Sequence, residues 1–313
     1  IIIYALTMGT LSAFAIPTRD SMLSFVLNNV DERTGGVETK IQRGVAVANA
    51  AQFGGQTVGM LLAALASVVG VPPVILMHGV MAIVGAWTSS KLIPVPPIAS
   101  HQKQDTFKAI KEGFVEVYRS PTLLPMVLVS LAVGLFFVGT FNVCLPLFVR
   151  DDYGGGAYKL AIAITGFFLG TIVSTLTLMR IGRFHYRGRV LFLALLFGSI
   201  ILSLMSLRVP FPVLCTLTFM WGLGAGVSLT LSRGLVQELA PDSHRARILS
   251  IYQLGFGGGG PFGSLATGYL AKTFGAHGSV IFPSTIMFIF LIATVSLTKI
   301  WSLDAPDQKS ATV

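Results

Sequence analysis

The chain has 313 residues, 53% of them hydrophobic and only 11% charged, with a formal net charge of +9. A soluble domain carries about 25% charged residues, so this composition excludes a chain solvated mainly by water. A mean hydropathy of +0.77 makes lipid the principal solvent.

Crossing about 30 Å of hydrocarbon takes roughly 20 apolar residues. Nine runs qualify, at 1–28, 45–69, 73–93, 123–149, 158–180, 190–207, 212–236, 249–271 and 279–301. The first begins "IIIYALTMGT", without Met and already apolar, so no signal peptide shows and the start of a longer protein is expected to be missing. It continues through "GTLSAFAIPTRDSMLSFVL" (9–27), which sets Arg19 and Asp20 towards one end. The second run contains "NAAQFGGQTVGMLLAALA" (49–66). There Asn49, Gln52 and Gln56 recur at three and four residues and share one helix face. Such a face turns to a cavity or to another helix, so it reads as a substrate path or as interhelical hydrogen bonding. Gly55 and Gly59 are read as packing positions. The third run follows "GVPP" and holds the lone His78.

Residues 94–121 break the pattern. They are Pro-rich at "IPVPP", then read as an amphipathic helix with Phe107, Ile110, Phe114 and Val117 on one face. That suits a helix at the membrane surface joining two bundles. The expected units are therefore 1–93 (three helices of a first bundle), the linker 94–121, a six-helix second bundle at 122–301 and a tail at 302–313.

In the second part, Asn142 lies inside the fourth run, and the basic loop "RIGRFHYRGR" (180–189) separates the fifth and sixth. The seventh run ends in "AGVSLTLSRGLVQEL" (225–239), with Arg233 and Glu238. The eighth carries Gln253 and then "LGFGGGGPFGSLATGYL" (254–270), seven glycines and a proline. A phosphate-binding loop needs a preceding strand and usually a lysine, and neither is here. Gly255, Gly259 and Gly263 instead form a row at four-residue spacing, with Gly260 and Pro261 beside it as a packing and bend pair. Small rows let helix backbones approach closely, and the row is expected to mediate contact between the two halves.

The halves repeat. Thr18-Arg19 matches Ser232-Arg233, and Gly54, Gly55 and Gly59 align without a gap on Gly258, Gly259 and Gly263. Three spans before the linker and six after it imply a parent of twelve helices in two parallel halves, the plan of transporters. Taking the spans as alternating, 18 of the 22 Lys and Arg fall on one side. That side is therefore cytoplasmic, and the positive charge reports topology rather than nucleic-acid binding.

Four stretches carry a family resemblance: "AFAIPTRDSML", "EGFVEVYRSP" (112–121), "LPLFVRDDYGGGA" (145–157) and "LVQELAPDSHRARILSIYQL" (235–254). In this order they resemble the major facilitator superfamily, in particular bacterial exporters similar to enterobactin exporters and transmembrane secretion effectors. The resemblance covers the whole chain as the fourth to twelfth helices. It implies an all-α membrane fold, an inner (plasma) membrane location and export of a small drug- or siderophore-like compound by alternating access. Ala15, Gln56-Thr57 and the Asp-free basic loop depart from the family patterns.

Among ionisable groups, Arg19, Asp20, Arg233 and Glu238 are the candidates for a cytoplasmic gate, against snorkelling or capping at the interface. Asn49, Gln52, Gln56, Asn142 and Gln253 are the substrate-path candidates. No HExxH, GxSxG or GxxxxGK[ST] occurs, so no enzyme, metal site or bound cofactor is expected. Energy would come from an ion gradient, with protons the leading choice. The expected partners are a small-molecule substrate and the bilayer, with no nucleic acid, and the protein is expected to be a monomer. Uptake, lipid translocation, and a transport-inactive scaffold or sensor are the alternatives.

Overall fold

The computed structural model describes residues 7, 44, 47–48, 50–59, 62, 69–91, 106–181, 185–241 and 245–302. Arg19, Asp20, Asn49 and nearly all of the first expected span lie outside these residues. Of the second span, residues 50–59 are described, and they are helical.

The remaining elements are α1 (Val71–Ser90), α2 (Thr106–Arg119), α3 (Leu123–Ala132), a π-helical turn (Val133–Val138), α4 (Gly139–Asp152) and α5 (Ala157–Ile181). They are followed by α6 (Arg187–Met205), α7 (Phe211–Leu239), α8 (Arg245–Leu297) and a 3-10 turn (Lys299–Ser302). Among the described residues, six helical stretches are long and apolar enough to cross a membrane; α3, the π turn and α4 form one of them, Leu123–Asp152. With no water in the hydrocarbon, helices are the way such apolar runs keep every backbone group paired.

The 53 residues of α8 would measure about 80 Å at 1.5 Å each, far beyond one crossing. The helix breaks at Gly275, where φ is 74° and ψ 169°, a conformation that costs glycine little and other residues much. The break divides α8 into two spans that match the eighth and ninth expected runs. "FGAHG", between the eighth and ninth expected runs, is helical apart from this one residue, and the backbone stays helical through Pro261 and Pro283.

Two close pairings organise the second half. In the first, α5 lies against α7, where Gly170 meets the Phe219 backbone and Gly222 the Phe167 backbone so closely that a Cβ at either would overlap it. In the second, α8 lies along the α3–α4 rod. A Cβ on Gly259 would stand 2.9 Å from both Leu131 O and Leu135 N, and Gly139 and Gly263 approach each other's helices more closely still. The row Gly255, Gly259 and Gly263, expected to join the two halves, thus packs inside the second. The π turn explains how the rod answers it. Gly134 and Gly139 are five residues apart, which in an α-helix separates them by about 140°. The wider i→i+5 turn brings both to the α8 side.

Elsewhere α6 covers α7, and Phe148, Phe192, Met126, Leu191 and Leu235 fill the interior. By contrast α1 is exposed all round, including Ile75, Leu76, Ile83 and Trp87. Such an exposed apolar surface suits a helix that faces lipid.

The linker helix departs from its expected seat. Val117 is buried, but Phe114, predicted on the same face, is exposed. The contact face runs through Gly113, whose Cβ position lies 3.3 Å from Arg247 Cβ and from Ile251 Cδ1, and it is fixed by Glu112 to Arg247 at 3.1 Å. So α2 docks on the start of α8, leaving Phe114 and Tyr118 outward.

Candidate functional site

The basic end of the second half holds a buried ion pair. Arg187 opens α6 and Glu238 stands one residue before the end of α7. The guanidinium reaches the carboxylate with both nitrogens, at 2.9 and 3.0 Å, while the side chains are only 7% and 4% exposed. Nη1 donates a hydrogen bond to Oε1, while Nη2 and Oε2 meet as an ion pair. Each charge stands at the wrong helix end, a cation at an N-terminus and an anion at a C-terminus, so both macrodipoles oppose it. Each charge helps to compensate the other. The pair is entered by strain of another kind: Tyr186, the residue before α6, is left-handed at φ 63°. The Arg189 guanidinium lies over its ring, 4.2 Å from the centroid.

One turn up α7, Arg233 and Gln237 are also buried. Beside Arg233, Ser232 reaches Tyr252 of α8. Tyr252 shares a hydrogen bond with Ser232 and accepts one at its carbonyl from Ser130 Oγ, 2.8 Å away. Ser228 and Phe256 join these residues around a water-sized void. Of the gate candidates, then, the structure describes Arg233 and Glu238, both buried near the end of α7. Arg187 was missed as a partner, because its charge reads in the sequence only as one more basic loop residue.

Towards the middle of the bundle, aromatic rings run from helix to helix. Phe137 meets Trp221 edge-on at 5.9 Å, Trp221 meets Phe141 and Phe167 at 5.8 and 5.4 Å, and Phe141 lies 4.7 Å from Phe167. Phe168 continues the run and stacks on Phe53 at 6.0 Å. Phe53 belongs to the first half, one residue after Gln52 and one turn before Gln56. Gln56 is exposed and Gln52 half-buried, and the exposed Asn142 follows Phe141 on the rod. Three of the path candidates therefore border the aromatic run. Gln253, half-buried, lies on α8 next to Tyr252 in the serine cluster instead. Among the described residues, Gly55 and Gly59 have open space where a Cβ would stand. No group of His, Cys, Asp and Glu among them could hold a metal.

Among the described residues, six apolar helical stretches make this a multi-pass membrane protein. Residues 136–312, more than half of the chain, match the Major Facilitator Superfamily, and the chain belongs to it. It is also similar to the multidrug efflux pump Tap of Mycolicibacterium fortuitum, 21% identical over 195 residues, which make up 62% of this chain and 47% of that protein. The chain spans about half the length of this curated relative.

Proposed function

We propose that this transporter exports a small amphipathic organic compound by alternating access between two six-helix bundles, the second formed by residues 122–301. The observation that carries the reading is the aromatic run, which passes from Phe137 to Phe168 and across to Phe53 of the first half. Rings offer a large apolar face with little rotamer entropy to lose. Gln52, Gln56 and Asn142 beside them supply hydrogen bonds without a fixed charge. The similarity to a multidrug efflux pump favours outward movement. On this reading the basic loops face the cytoplasm of a bacterial inner membrane, and an ion gradient, with protons first in line, supplies the energy.

Arg233 and Glu238, with Arg19 (the counterpart of Arg233 in the repeat) and Asp20, form the cytoplasmic gate, and Arg187 holds Glu238 in place within the second half. The test is accumulation of a lipophilic fluorescent dye by cells expressing the full-length gene. Expression lowers accumulation, and Arg233→Ala or Trp221→Ala restores it. Faster dye entry would reverse the direction, and no change in any solute's distribution would leave the scaffold reading in place.

A further inference from the structure

The end opposite the basic loops has its own convergence point. His277 lies two residues past the break at Gly275, and its ring is shared by three turns. Nε2 is 2.6 Å from Asp152 Oδ2 at the end of α4, and Nδ1 is 2.8 Å from the carbonyl of Ser206 at the end of α6. Phe148 stacks on the ring with 4.6 Å between centroids. Tyr153 adds a parallel tie by donating its hydroxyl to Val209 O, and Lys159 donates to Tyr153 O at 2.6 Å.

Both partners of the imidazole are acceptors: a backbone carbonyl cannot donate and neither can a carboxylate. A neutral imidazole carries one N–H and can satisfy only one of them. The arrangement is complete only with a proton on each nitrogen, a charge-assisted bond to Asp152 and a ring face of Phe148 that attracts cations. We propose that His277 is a proton-dependent clasp, binding the turns after α4, after α6 and at Gly275 together when charged and releasing one of them when neutral. On the orientation proposed above this end faces outward, so the clasp responds to external acidity. It holds equally for an exporter and an importer.

The other charges at this end define what must be separated from it. On α4, Arg150 and Asp151 pair with each other, and the hydrogen bond from Arg150 holds the Asp151 carboxyl below the ordinary range. Arg208 belongs to the turn after α6 and Lys272 to α8 itself. Tyr153 stays a donor, since burial first and the Asp152 charge second raise its phenol above the ordinary range.

Hydrogen exchange of the full chain in lipid nanodiscs, corrected for intrinsic rates, tests this between about pH 5 and pH 8, where imidazoles ordinarily change charge. Segments 152–156, 206–210 and 274–278 are expected to exchange at least about fivefold more slowly at the acid end, as local opening becomes rarer. Segment 233–239, at the basic end, should not follow. His277→Gln should abolish the pH dependence and leave all three segments fast. Should that variant not fold, Asp152→Asn, which keeps an acceptor but loses the charge, should cut the dependence by more than half. Equal wild-type exchange at both pH values, a matching change in 233–239, or an undiminished dependence in the variants would overturn the clasp.

Discussion

Glu238 shows how much one side chain can hold at the basic end. Its carboxylate is 4% exposed and takes both guanidinium nitrogens of Arg187. Removing one member of such a pair leaves the other buried and uncompensated, which costs about 3–5 kcal/mol. Here the helix dipole adds to the penalty, since Arg187 would remain a lone cation at an N-terminus. Glu238→Gln should therefore lower stability by about 3 kcal/mol or more in reversible unfolding from mixed micelles. Replacing both residues by Met should recover most of that loss, because two apolar side chains need no partner. If the single variant is as stable as the wild type, the pair does not hold the helix ends.

At the scale of elements, the glycine rows decide which helices touch. The four-residue spacing of Gly255, Gly259 and Gly263 is legible in the sequence, and so is its use in close packing. The identity of the facing helix is not, because spacing describes one surface only. Its partner, Gly134 and Gly139, is hidden by five-residue spacing that becomes one face only through the π turn. The break at Gly275 was legible only as the gap between the eighth and ninth apolar runs, not as a single residue. Gly263→Ala would put a Cβ into the Leu135 backbone, which cannot give way as a flexible side chain can. The expected loss is about 1–3 kcal/mol, the usual cost of overpacking. Gly257→Ala is the matched control in the same helix. It has open space where a Cβ would stand, so it should gain up to about 1 kcal/mol from helix propensity. Thermal unfolding of the two variants against the wild type separates packing from propensity. Equal effects would mean that the close approach between α8 and the rod carries no stability.

Over the whole molecule, the positions of the described spans could be read from the chain because lipid imposes length and apolarity on every crossing. The aromatic run could not. In a water-soluble helix a ring on a polar background marks a face, but here every neighbouring position is apolar as well, so Phe141, Phe167 and Phe168 have no contrast until the helices are placed. Phe53 then becomes the informative residue, as the described point where a first-half ring stacks on a second-half one. Alternating access by rocking halves requires such cross-half contacts to open and close, whereas contacts within a half, such as α8 on the rod, should persist. A short bifunctional thiol reagent can distinguish the two. In a background with Cys144→Ser, which keeps a partner for Ser279, and Cys215→Ala, the pair Phe53→Cys and Phe168→Cys should crosslink and stop dye transport. A reductant that cleaves the linker should restore it. The pair Val138→Cys and Gly260→Cys, whose Cβ positions are 3.9 Å apart within the second half, should crosslink with transport largely kept. If both crosslinks stop transport equally, the moving boundary does not run between Phe53 and Phe168.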